Sequence, residues 1–189
     1  MNIKRDRRVA EKYHGGFERP SEPNRLVVHG TGGGQDADQI VNWMMKGERS
    51  KNYNKGISLF HFIISSDGSI VQLLDLDKWV YHSHSGRQDQ NAIGIELCNS
   101  SVANQHLYTD KQYESLFWLI FSYIMNSYTI REIAGHDVMK HKYSPRAKKG
   151  IECPGNFDWK LLDSELFLKG YTYSNSDQYD HFWGIKRND

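Results

Sequence analysis

The residues with the widest chemical scope lie between Gly135-His136-Asp137 and Glu152-Cys153-Pro154-Gly155. They supply an imidazole, a segment carrying several Lys and Arg, and a thiol held between Glu and Pro-Gly. Imidazole and thiolate are the ligands zinc favours, and a catalytic zinc needs three protein ligands with a fourth position open. His29 is the candidate third ligand, because Leu26-Val27-Val28-His29 runs straight into Gly30-Thr31-Gly32-Gly33-Gly34. His29 and His136 each end an apolar strand, where a side chain turns into a cleft. They are too far apart in sequence for two ligands on one helix, so only the tertiary fold can join them. Each also has a plainer reading. A lone Cys is more often a small buried hydrophobe, and a lone His is more often a surface or hydrogen-bonded core residue.

Asn91-Ala92-Ile93-Gly94-Ile95-Glu96-Leu97-Cys98 holds the second constellation. Strand alternation puts Ala92, Gly94, Glu96 and Cys98 on one face and Ile93, Ile95 and Leu97 on the other. A carboxylate among small residues on a central strand is costly unless it is paired or does chemistry. The alternatives are a buried ion pair and a base that takes the proton of a metal-activated water. His61 lies inside Phe60-His61-Phe62-Ile63-Ile64, where a hydrogen-bonded core histidine is the expectation. His14, His106, His141 and His181 lie in polar contexts and are read as surface imidazoles.

The elements that must position these groups follow from periodicity. Residues 25–29 form a strand, 36–46 a helix capped by Asp36, and 50–56 a polar loop. Residues 59–64 and 70–74 form a hairpin around Ser66-Asp67-Gly68-Ser69. Residues 92–98 form a central strand. Thr109-Asp110-Lys111-Gln112 is a capping box opening a long helix to about residue 128. A short strand at 129–134 delivers His136, and 157–168 is helical. The order implies an α/β fold, a mixed central sheet of about five to six strands flanked by helices. Residues 1–24 read as an N-terminal extension with a short helix at 7–13, 25–168 as the catalytic domain, and 169–189 as a C-terminal tail without clear period.

Lys+Arg 24 against Asp+Glu 23 gives a net charge of +1, which argues against a nucleic-acid partner. Two cysteines suit a reducing compartment rather than a disulfide-stapled scaffold. No apolar run reaches the roughly 18 residues of a membrane span, and the N-terminus lacks a signal-like apolar stretch. The expectation is a monomeric cytoplasmic chain with no membrane insertion.

Five blocks, in order, resemble the zinc-dependent N-acetylmuramoyl-L-alanine amidases, a family that includes phage lysozyme-like amidases, muropeptide-recycling amidases and peptidoglycan recognition proteins. The blocks are Leu26-Val27-Val28-His29-Gly30-Thr31; Phe60-His61-Phe62-Ile63-Ile64 with Asp67-Gly68-Ser69-Ile70-Val71-Gln72; Ser83-His84 with Asn91 to Leu97; Gly135-His136-Asp137; and Glu152-Cys153-Pro154-Gly155. The resemblance implies Zn2+ bound by His29, His136 and Cys153, and Glu96 as general base. His84, Phe60, Thr31 and Asn91 fall at substrate-contacting positions, and peptidoglycan fragments or muropeptides are the implied partners. Two departures stand out. Phe60 replaces a tyrosine of the phage-type enzymes, and Ile151 replaces the family's Lys or Thr two residues before the last ligand. Lys148 or Lys149 is the available substitute cation, and Lys149 is named as the catalytic candidate. The rival readings are a non-catalytic peptidoglycan-binding module of the same fold and a cysteine peptidase using Cys153 and His136.

Overall fold

The computed structural model describes residues 1–12, 15–46, 59–83, 86–99, 107–143, 153–176 and 179–187. The expected loop at 50–56, and His84, Lys148, Lys149 and Ile151, lie outside the described residues.

An eight-stranded mixed sheet forms the centre, and five of its strands are those the sequence pattern predicts. They are β3 (Arg25–Gly30), β4 (Phe62–Ile64), β5 (Ile70–Gln72), β7 (Ala92–Leu97) and β8 (Glu132–Gly135). The chain ends supply the other three. β1 (Ile3–Arg5) adds one edge, and β9 (Tyr171–Ser176) and β10 (Tyr179–Arg187) add the other. The order is β1-β5-β4-β7-β3-β8-β10-β9, with β4, β7, β3 and β8 parallel to one another. A small second ladder joins β2 (Phe17–Glu18) to β6 (Lys78–Trp79).

The tail is the main difference from expectation. It forms an antiparallel hairpin whose second strand pairs with β8, Phe182 opposite Ala134 and Trp183 opposite Ile133. A strand at a sheet edge takes its frame from a neighbour's backbone, so it needs no two-sided hydrophobic alternation of its own. The N-terminal segment packs in the same way. α1 (Arg8–Lys12) buries Val9 and Ala10 against the core that α2 (Ala37–Met45) also covers.

Strand alternation divides the core. Leu26, Val28, Phe62, Ile64, Ile93, Ile95 and Leu97 face α4 (Asp110–Phe117) and α6 (Trp159–Leu168). The opposite face carries Val27, Ala92 and Ala134 under α5 (His136–Tyr143), and Ile63 and Val71 under α2. The predicted caps form. Asp36 accepts from the Asp38 N–H, and Thr109 and Gln112 complete the reciprocal box. The long helix departs from the α form after Phe117, continuing as a π-helix over Trp118–Ile124. Its buried side chains Leu119, Ile120 and Ile124 still reach the core.

Arg19 ties the N-terminal segment to the sheet. Its guanidinium donates to the carbonyls of Leu76 (2.7 Å), Gln90 (2.6 Å) and Ala92 (2.7 Å). Burial lowers its pKa to about 10, which leaves it cationic at neutral pH. Arg19→Ala orphans three carbonyls at once, and hydrogen bonds to a charged donor each contribute about 1.5–3 kcal/mol. The expected loss, after partial rehydration, is about 3 kcal/mol in urea unfolding. A loss under about 1 kcal/mol contradicts this anchoring role.

Candidate metal and catalytic site

Parallel register brings the candidate residues together. β3 pairs with β7 so that His29 stands opposite Glu96, and with β8 so that Val28 stands opposite Gly135. His136 is the next residue and opens α5. The three groups therefore gather outside the carboxyl ends of parallel strands, where open α/β sheets place their sites. The basic segment after His136 begins as a helix, α5.

Cys153 is brought in by main-chain contacts. The Asp137 N–H donates to the Cys153 carbonyl (3.0 Å), and the Gly30 N–H donates to Cys153 Sγ (3.4 Å). The buried Tyr108 hydroxyl donates to the Pro154 carbonyl (2.6 Å). Gly135 permits this approach, because a Cβ there would stand 2.6 Å from Asp137 Oδ1 and 3.1 Å from Pro154 Cδ.

One donor atom from each of His29, His136 and Cys153 lies within 4.8 Å of the others. His29 is buried and its ring centroid is 4.6 Å from that of His136. Two imidazoles and one thiol would supply three of the four ligands that zinc takes at a catalytic site, so the residues fit that metal. Glu96 is 1 % exposed and borders a cleft of about 390 Å³ lined also by Thr31, Gly33, Trp43 and Phe60.

The other candidates divide. Phe60 reaches the site, its ring 5.2 Å from that of His29. Thr31 lines the cleft, but its hydroxyl accepts from the Asn99 N–H (2.8 Å) and so fastens the loop. Asn91 does not join them. It precedes β7 at the end opposite Glu96, about 16 Å away for five extended residues, and its side-chain oxygen accepts from the Ser21 hydroxyl.

His61 is the core histidine expected. Its Nδ1 accepts from the Gly94 N–H (3.0 Å), and its Nε2 lies 2.9 Å from Arg19 Nη2 and 3.1 Å from the Lys78 carbonyl. His82 and Asp89 are additions that the sequence pattern does not single out. His82 is buried with Nδ1 3.1 Å from His29 Nε2, and Asp89 on α3 (Gly86–Asp89) is fully buried beside it. No periodic frame governs the segment around His82, so nothing local marks it. The only sequence signal is Gly94, the space on the facing strand that its ring fills.

Against this geometry, the model of the N-acetylmuramoyl-L-alanine amidase family matches residues 19–160. The chain belongs to that family. The match takes in all three donors, Glu96 and Arg19. No curated protein matches the chain in sequence. Among solved structures, the chain is similar to the endolysin N-acetylmuramoyl-L-alanine amidase LysCS from Clostridium intestinale URNW, at 23% identity and TM-score 0.65, covering 88% of this chain and 95% of that one. The Ph2119 endolysin from Thermus scotoductus MAT2119 bacteriophage Ph2119 shares 16% identity at TM-score 0.62, covering 87% and 98%. The catalytic domain of XlyA shares 26% identity at TM-score 0.54, covering 87% and 94%. The amidase fold thus persists at low identity. Among the described residues no helix is long and apolar enough to cross a membrane.

Burial, then the Arg19 charge, holds His61 well below its ordinary value of 6.5, so the folded side chain stays neutral. The unfolded chain protonates His61 below about 6.5 and the folded chain does not. This contribution is full above that pH and is lost as pH falls from about 6.5 toward 5. His61→Asn keeps an acceptor for Gly94 and removes the titration. The fall in Tm between pH 7 and pH 5 should be smaller in the variant; an unchanged fall contradicts the assignment.

Proposed function

We propose that the chain hydrolyses the amide joining the lactyl group of N-acetylmuramic acid to L-alanine in peptidoglycan or muropeptides, with zinc held by His29, His136 and Cys153. The observation that carries this reading is the juxtaposition of a His-His-Cys donor set with a buried carboxylate, Glu96, in register beside His29. Zinc bound there acidifies water toward neutral pH and polarises a carbonyl.

The remaining steps belong to the chain. Glu96 takes a proton from the attacking water and later delivers it to the leaving amine nitrogen. Its buried position suits that work, because a base shielded from bulk water exchanges its proton with the reacting atoms. Phe60 excludes water from the inner wall of the cleft, and Trp43, half-buried at its rim, offers an aromatic face to sugar or peptide. We assign substrate contact to His84 and stabilisation of the tetrahedral oxyanion to Lys149, the nearest sequence alternative to the cation missing at Ile151.

Glu96→Gln preserves shape and removes the base. Zinc content should stay near one per chain while turnover on muramyl peptides falls about 10²- to 10⁴-fold. Full activity in that variant sinks the base assignment. Chelation should abolish wild-type turnover and added zinc restore it. An inert wild-type chain that nevertheless binds intact sacculi marks a recognition module instead.

A further inference from the structure

His29 is not fixed by its strand alone. Its Nε2 lies 3.1 Å from Nδ1 of His82, whose own Nε2 faces Asp89 Oδ1 at 3.6 Å, with both side chains buried. Asp89 is in turn held by the segment it serves. The backbone N–H groups of His82 and Ser83 donate to its carboxylate at 3.2–3.3 Å, and the Ser83 hydroxyl donates to Oδ1. At 3.6 Å the carboxylate acts on His82 Nε2 through its charge rather than through a hydrogen bond. The facing strand leaves room for this ring. A Cβ on Gly94 would stand 3.2 Å from both Cγ and Nδ1 of His82. Nothing in the chemistry proposed above uses either His82 or Asp89.

We infer that Asp89 and His82 form a positioning relay that fixes the tautomer and ring orientation of His29 for metal binding. A carboxylate facing His82 Nε2 favours the proton on that nitrogen, which leaves Nδ1 as the acceptor. His29 then donates through Nε2–H, and its Nδ1 lone pair is left for a metal shared with His136 and Cys153. A ligating imidazole whose second nitrogen donates to a fixed acceptor is the usual support of a metal site, and loss of such a support costs about 10–100-fold in affinity. Gly94 belongs to the device, because any side chain there displaces the acceptor ring. The inference rests on the zinc reading above and deepens it by naming what orients the first ligand.

The test compares two substitutions of one residue. His82→Leu removes the acceptor, whereas His82→Asn places an amide oxygen close to the position of Nδ1. Zinc affinity, measured by chelator competition, should weaken about 10–100-fold in His82→Leu, and His82→Asn should recover most of that loss. Asp89→Asn should also weaken zinc binding, and long-range nitrogen–proton NMR of the metal-free chain should show the His29 proton leaving Nε2. Each variant's Tm is recorded alongside, because a purely structural role lowers Tm in the Leu and Asn variants alike without separating their affinities. Equal affinity of His82→Leu and wild type, or equal losses in His82→Leu and His82→Asn, overturns the relay while leaving the zinc reading intact. A wild-type chain that takes up no zinc overturns both.

Discussion

The parallel pairing of β7, β3 and β8 is the constraint on which the site depends. It sets Glu96 beside His29 in one register and Gly135 beside Val28 in the next. A slip of one residue in either ladder would turn the side chains to the opposite face, carrying Glu96 into the apolar layer under α4. That error is expensive, because the same slip would drive Ile93, Ile95 and Leu97, all fully buried, into the opposite layer, where the space at Ala92 and Gly94 is already filled. Core and site therefore enforce one register between them.

Around that register the molecule adds local fasteners where a strand cannot reach. Cys153 comes from another part of the chain and is held by hydrogen bonds to the backbone of Gly30 and Asp137. The bare backbone at Gly135 lets the Pro154 turn close over the end of β8. Arg19 secures the opposite end of β7 through the carbonyls of Gln90 and Ala92. Arg25, largely buried, pairs with Glu132 across β3 and β8 and takes Gln88 as a further acceptor. The two arginines are thus placed at the strands' amino ends, and the candidate metal donors at their carboxyl ends.

Much of this arrangement is legible in the amino-acid sequence. β-branched runs ending in His29 and before His136 specify strands with candidate ligands at their ends, and the alternation through Ala92–Leu97 assigns Glu96 to the small-residue face. The capping residues Asp36 and Thr109 mark their helices correctly because their chemistry is local. What stays hidden depends on partners distant in sequence. The terminal hairpin takes its order from β8, and His82 takes its meaning from His29 and Asp89. Asn91 misleads for the same reason. It is adjacent in sequence to the strand that carries Glu96, yet at the wrong end of it.

A His-His-Cys zinc site beside Glu96 is tested most directly by X-ray absorption at the zinc edge of the zinc-loaded chain. The expected environment is one sulfur at about 2.3 Å and two imidazole nitrogens at about 2.0–2.1 Å, with the remaining scatterer a light atom. Replacement of Cys153 by Ser should remove the sulfur shell and leave the two imidazoles. A zinc environment without sulfur in the unaltered chain, or one with a single imidazole, would contradict the site.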